Sequence, residues 1–239
     1  MTDHKVVSEA QWVEERKKLL AREKELTHLQ EKVAEERRAL PWVKVTKNYV
    51  FDTPQGKKTL SELFDGRGQL IVYHFMFSPD WEAGCTGCSF LSDHVDGANQ
   101  HLKHHDVTYV AVSRAPLEKL LAYKKRMGWK FAWVSSEGSD FNYDYHVSFT
   151  KEEVAKGKAF YNFETSDIGK MEDLHGTSVF IKDKDGTIYH TYSAYARGDE
   201  RSLGTYMWLD ITLKGRNETG AMSWVKRHDE YDTAPQSAE

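Results

Sequence analysis

Residues 70–77 read L-I-V-Y-H-F-M-F, and His74 is the one polar interruption. A run this apolar has no face to give to water. At this length it is expected to be a central strand covered on both sides, which demands a sheet with helices packed against it. The surrounding pattern agrees. Residues 107–112 and 131–134 are further short apolar runs. Between them, Phe90, Leu91, Val95, Ala98 and Leu102 recur at helical spacing, and Leu117, Leu120, Leu121 and Met127 do so between Pro116 and Gly128. Strands alternating with helices predict an α/β domain around a mostly parallel sheet.

Upstream, residues 49–60 with Pro54-Gln55-Gly56 between them read as a small hairpin, leading into an amphipathic turn at 60–64. Downstream, residues 177–182 and 187–192 flank Asp183-Lys184-Asp185-Gly186, a hairpin turn in which Gly supplies positive φ, so the sheet should end antiparallel and be mixed. Residues 138–170 are aromatic and polar without clear periodicity and read as an insertion. The N-terminal segment differs in kind. Trp12, Leu19, Leu26, Val33 and Leu40 fall every seventh residue, Ser8 and Gln11 form a capping box, Val7 can staple on Trp12, and Pro41 stops the run. One helix is expected over 8–40. Its stripe is narrow, with Leu29 alone on the second seam, so packing on its own domain and pairing with a second copy as a homodimer both stay open. The expected organisation is a helical extension at 1–41, the α/β domain at 42–195, and a C-terminal extension at 196–239 whose last eight residues should be disordered.

With 33 basic against 37 acidic residues and a net charge of -4, nothing marks a partner as nucleic acid or anionic membrane. The first residues, M-T-D-H-K-V-V-S-E-A-Q-W, lack a signal peptide's apolar run, and no stretch reaches about 18 apolar residues, so a cytoplasmic protein is expected. In a reducing compartment the two cysteines, Cys85 and Cys88, point to redox or metal chemistry rather than a structural staple.

A strand, a Gly-containing loop, C-x-x-C and then a helix make a reactive thiol. The helix N-terminus should stabilise the Cys85 thiolate, so Cys85 is assigned as attacker and Cys88, one turn on, as the resolving thiol. Zinc recruiting His94, His101, His104 or His105 is the competing reading, but these lie too close in sequence for finger spacing. No metal or cofactor is called for. His74 reads as a satisfied core histidine. Asp80 and Glu82 are near enough in sequence to shuttle a proton for the resolving thiol.

Several segments together resemble a known family: E-K-E-L-T at 23–27, R-R-A-L-P-W-V at 37–43, the run from Leu70 through S-P-D-W-E-A-G-C-T-G-C-S, V-A-V-S-R-A-P at 110–116, Y-K-K-R-M-G-W at 123–129, G-S-D-F-N-Y-D at 138–144 and W-V-K-R-H-D-E-Y at 224–231. The chain is similar to domain of unknown function 899, a thioredoxin-like family described as predicted dithiol-disulfide oxidoreductases. The resemblance implies a thioredoxin fold and dithiol redox activity, with Trp81, His175, Gly176 and Thr177 as substrate-facing loop positions. Two departures stand out. Thioredoxins carry a cis-proline before the strand facing the dithiol, whereas His175-Gly176-Thr177-Ser178 stands here. Peroxiredoxins use Pro-x-x-x-Thr/Ser-x-x-Cys, whereas Pro79 is out of register and Glu82 replaces the Thr or Ser. The expected function is thiol-disulfide exchange on a disulfide substrate, with a peroxide as substrate in the peroxidase alternative, and an unknown thiol reductant recharging the protein. The alternatives are a thiol peroxidase passing through a Cys85 sulfenic acid and a non-catalytic redox-sensing or zinc-binding module. Aromatic residues of the C-terminal extension are expected to cover the site.

Overall fold

The computed structural model describes residues 4–231; the last eight, expected to be disordered, lie outside them. The chain divides into two units at Pro41 and Trp42. The first is one continuous helix, α1 (Glu9–Arg38), as the heptad stripe predicts. The Ser8 hydroxyl accepts the Gln11 N–H at 3.3 Å, and Gln11 Oε1 accepts the Ser8 N–H at 3.1 Å, closing the capping box. Arg37 and Arg38 in the last turn oppose the partial negative charge there. None of its residues is buried.

The second unit is built on an eight-stranded mixed sheet. Its strands are β1 (Val43–Lys44), the hairpin β2 (Val50–Thr53) and β3 (Gly56–Thr59), β4 (Gln69–His74), β5 (Val107–Ser113), β6 (Ala132–Ser135), β9 (Gly176–Lys182) and β10 (Ile188–Tyr195), in the order β1-β10-β9-β4-β5-β6-β2-β3. β4, β5 and β6 run parallel, while β9 returns antiparallel against β4 and pairs with β10 across the Asp183–Gly186 turn. Parallel neighbours need crossovers, and helices supply them. After β3 comes the short α2 (Leu60–Leu63), α3 (Thr86–Ser92) and α4 (Val95–His104) join β4 to β5, and α5 (Leu117–Arg126) joins β5 to β6. A central strand followed by the dithiol and a helix, flanked by a parallel strand and an antiparallel hairpin, is a thioredoxin-like arrangement.

The central run behaves as its composition requires. Tyr73, Phe75 and Phe77 enter a cluster with Phe90, Tyr123, Trp129 and Trp133 under the helices, while Leu70 and Val72 enter the opposite cluster with Phe51, Val112 and Phe141. The strand itself stops at His74 rather than Phe77. β9 begins at Gly176, the partner of His74, and beyond that pair β4 has no neighbour on that side.

Two expectations are refined. The helix after the dithiol is broken at Asp93-His94, because both side chains are drawn into tertiary bonds: Asp93 accepts the Trp129 indole N–H at 2.8 Å, and His94 Nε2 accepts the Thr205 N–H at 3.0 Å. The stretch 138–170 carries regular structure, namely α6 (Phe141–Asp144), α7 (Lys151–Lys156) and the hairpin β7 (Lys158–Tyr161) with β8 (Glu164–Asp167). Its elements are four to six residues long, too short to show a period, and they hold their own core of Val147, Phe149, Ala159, Tyr161 and Ile168. Beyond β10, a 3-10 helix at Ala196–Ser202 and α8 (Gly204–Leu209) bring Leu203 and Tyr206 into the main cluster.

Candidate dithiol site

Cys85 is the N-cap of α3, and its Sγ accepts the Cys88 backbone N–H at 3.4 Å. The cap is held from both sides. The Cys85 N–H donates to the Met76 carbonyl at 3.1 Å, and the Ser89 hydroxyl donates to the Cys85 carbonyl at 2.8 Å. Both thiols are free; Cys85 is half-buried and Cys88 is buried.

The two thiols are driven in opposite directions. The hydrogen bond from the Cys88 side chain pulls the Cys85 thiol down to about 6, aided by the backbone N–H groups of Cys88 and Gly87 and by the charge of His175, and opposed by burial. Burial pushes the Cys88 thiol up, as do its hydrogen bond to Cys85 and the charge there. The Tyr73 hydroxyl, itself buried, hydrogen-bonds the Cys88 sulfur. The N–H groups expected from the start of the helix are among these donors, since Gly87 and Cys88 lie in the first turn of α3, and the Cys88 side chain adds the largest contribution. The difference between the two thiols therefore has a largely local cause.

Both sulfurs line a cavity of about 350 Å³. Its walls come from β4 (Tyr73), α3 (Leu91), the loop just before β9 (His175), the 3-10 helix (Ala196, Asp199), Leu203, and the C-terminal extension (Ala221, Met222). His175 Nδ1 donates to Asp199 Oδ2 at 3.1 Å, and the Asp199 side chain is 5% exposed. The His175 backbone is fixed from both sides: its carbonyl accepts the Tyr161 hydroxyl at 2.8 Å, and the neighbouring Leu174 N–H donates to the Val147 carbonyl at 2.8 Å. Just upstream, buried Asp173 accepts Arg114 Nε at 2.7 Å and Ser148 Oγ at 2.5 Å, together with the Ser78 hydroxyl from the loop that leads to Cys85. One carboxylate thus ties the His175 loop to the dithiol loop.

Of the other sequence-derived positions, Gly176 and Thr177 open β9 but do not line the cavity. A Cβ at Gly176 would come within 2.6 Å of the Tyr195 ring, so that glycine serves close packing. Trp81 packs partly against the main cluster, and its carbonyl accepts the Lys119 ammonium at 2.8 Å. Asp80 and Glu82 are exposed and outside the cavity, because the loop turns them to water. His101, His104 and His105 are exposed on or just after α4, and none lines the cavity. Among the described residues no three His, Cys, Asp or Glu side chains gather closely enough to hold a metal ion. His74 is a core histidine: its Nε2 lies 2.9 Å from the Ser178 hydroxyl, and burial pushes it down to about 3, so it is neutral. Its Nδ1 finds no partner among the described residues, so it is only half satisfied.

Tyr73, Asp199, Leu203 and Met222 escaped the sequence reading. Asp199 pairs with a histidine 24 residues away, and Met222 reaches the dithiol through the fold of the extension; neither leaves a local signal. The extension does cover the site, but through Ala221 and Met222, whereas Trp208 is exposed and Trp224 packs on Phe90.

A family model described as a bacterial protein of unknown function (DUF899) matches residues 1–231. The chain belongs to the DUF899 family. No curated protein matches it. Solved structures similar to this DUF899 chain include the peroxidoxin BcpB from Mycobacterium tuberculosis, at 14% identity over 70% of this chain and 95% of that one, with a TM-score of 0.44. A cysteine-to-serine mutant of PrxQ from Xylella fastidiosa is 12% identical over 70% and 94%, with a TM-score of 0.45. The mitochondrial 2-cys peroxiredoxin from Plasmodium falciparum is 14% identical over 72% and 94%, with a TM-score of 0.38. Among the described residues no helix is long and apolar enough to cross a membrane.

Proposed function

We propose that this DUF899 protein is a dithiol-disulfide oxidoreductase. The observation that carries this is the opposed perturbation of two adjacent thiols beside one cavity, with Cys85 pulled down to about 6 and Cys88 pushed up. A thiol that ionises near 6 is a thiolate at neutral pH and can attack; one that stays protonated waits until the first has reacted. The Cys85 thiolate attacks one sulfur of a substrate disulfide, the S–S bond breaks, and a mixed disulfide forms on Cys85. The departing thiolate takes a proton from His175, which Asp199 orients. Cys88 then attacks Cys85 Sγ and gives its proton back to His175. The Cys85–Cys88 disulfide forms, and the second substrate thiolate leaves and is protonated by solvent. Two electrons have passed from the protein to the substrate, and a thiol reductant must return them. The reaction needs no metal or cofactor and suits a reducing compartment such as the cytoplasm.

The test is trapping by mass spectrometry with 2-hydroxyethyl disulfide. Cys88→Ser should accumulate a mixed disulfide on Cys85, and Cys85→Ser should form none. An adduct confined to Cys88, or no adduct at all, refutes the assignment. The same reduced protein mixed with hydrogen peroxide reads out the peroxidase alternative: oxidation much faster by peroxide than by the disulfide moves the protein to that class.

A further inference from the structure

The cover over the dithiol bears on what can reach it. Immediately before Cys85, the Gly84 carbonyl accepts two bonds from the Arg227 guanidinium, 2.7 Å from Nη2 and 3.2 Å from Nε. Between the two cysteines, a Cβ on Gly87 would lie 3.0 Å from the Met222 sulfur, so the Met222 thioether rests directly over that turn. The strap carrying Met222 is itself pinned. The Met222 N–H donates to Glu218 Oε1 at 3.0 Å, and the same oxygen accepts the buried Tyr206 hydroxyl at 2.5 Å. Trp224 then seats edge-on against Phe90 of α3, with ring centres 5.7 Å apart. The C-terminal strap is thereby fastened to the dithiol helix and to the loop before it. A protein disulfide presented on a folded surface would have to displace that strap to meet Cys85.

What remains is a cavity of about 350 Å³. A 150 Å³ apolar cavity accepts benzene, so this one has room for roughly two benzene-sized groups. Its charges are all paired: His175 with Asp199, and Glu200 with Arg197 at 2.8 Å and with Arg216 at 3.3 Å. The rest of the wall is apolar, with Leu91, Leu203, Ala221 and Met222. Such a wall offers no free cation to a carboxylate and no free anion to an amine, and stripping either of water without a partner is costly.

We propose that the substrate is a compact, uncharged, low-molecular-weight disulfide, and that protein disulfides and glutathione disulfide are excluded by the Ala221–Met222 strap. This rests on the dithiol reading above and narrows it.

The experiment compares the rate at which the reduced full-length protein is oxidised by 2-hydroxyethyl disulfide, by glutathione disulfide and by the interchain disulfides of insulin. The wild type should favour the small neutral disulfide by at least on the order of a hundredfold, the penalty expected when a reacting group is held out of line. Arg227→Ala frees the strap at Gly84, and Met222→Ala removes the side chain over Gly87. Each should narrow the ratio by raising the rates of the larger substrates. Insulin reduced as fast as the small disulfide by the wild type overturns the proposal, and so does a ratio unmoved in both variants. No reaction with any of the three instead refutes the dithiol reading itself, so the two failures are distinguishable. Circular dichroism on both variants confirms that they are folded.

Discussion

Replacing Cys88 by alanine removes the donor that contributes most to the Cys85 thiolate, and the consequence can be worked out for the alkylation of Cys85 by iodoacetamide. In the wild type the thiol ionises at about 6, against about 8.5 for an ordinary cysteine. At pH 7 about nine-tenths is thiolate instead of about 3%, a gain of roughly thirtyfold. A less basic thiolate is also a weaker nucleophile. With a Brønsted slope of about 0.45, a drop of about 2.5 units costs roughly thirteenfold per thiolate. The net advantage at pH 7 is only about twofold, whereas at pH 5.5, where an ordinary thiol is about 0.1% ionised, it grows to roughly eighteenfold. The acid limb is therefore the informative one. A hydrogen bond to a charged acceptor contributes about 1.5–3 kcal/mol, and one pKa unit is about 1.36 kcal/mol. Cys88→Ala should thus move the midpoint of the rate-pH curve up by roughly one to two units, while Cys88→Ser, which keeps an O–H donor, should move it less. The assay is pseudo-first-order alkylation from pH 4.5 to 9, with the modified residue identified by mass spectrometry. A midpoint that stays near 6 in Cys88→Ala would refute the claim that the Cys88 side chain sets the reactivity of Cys85. A wild-type midpoint in the ordinary thiol range would refute the depressed pKa altogether.

Two further outcomes are expected. Gly84→Ala would place a Cβ 2.7 Å from Phe75 Cε1 and 2.9 Å from Tyr123 Cε1, inside an aromatic cluster that cannot yield; it should lower stability by about 1–3 kcal/mol in urea unfolding, and an unchanged midpoint would show that the loop absorbs the methyl. The seven-residue stripe of Trp12, Leu19, Leu26 and Val33 along α1, continued by Leu40 just after it, is the seam that a helix pairing with a second copy needs; deleting residues 1–41 should convert a dimer to a monomer in light scattering, and an unchanged association state would remove the helix from the interface.

The architecture was legible because each of its main signals is local. The run at 70–77 declares its own burial, the Ser8/Gln11 box and the heptad stripe declare a helix, and Asp183–Gly186 declares a turn, since a side-chain period or a required φ is a property of neighbouring residues. The dithiol was legible for the same reason, and so was the order of its two sulfurs along α3. The break at Asp93-His94 was not, because it is imposed by Trp129 and Thr205, far along the chain. Nor was the identity of the titratable pair in the cavity wall. Asp80 and Glu82 are near Cys85 in sequence, but the backbone of their loop turns them to water, whereas His175 arrives in the loop just before β9 and receives Asp199 from the segment after β10. The depression of the Cys85 thiol comes mainly from Cys88 and Gly87 within three residues of it, and only the His175 contribution is brought in from afar; the cavity beside the thiol and the Met222 strap over it depend on atoms brought together by the sheet order and by the return of the C-terminal extension. Contacts between residues tens or hundreds of positions apart leave no period or spacing in the chain. What the sequence alone determined was the Cys85–Cys88 pair and the scaffold that holds it; the cavity beside that pair, the His175–Asp199 pair in its wall and the Met222 strap over it were decided by tertiary structure.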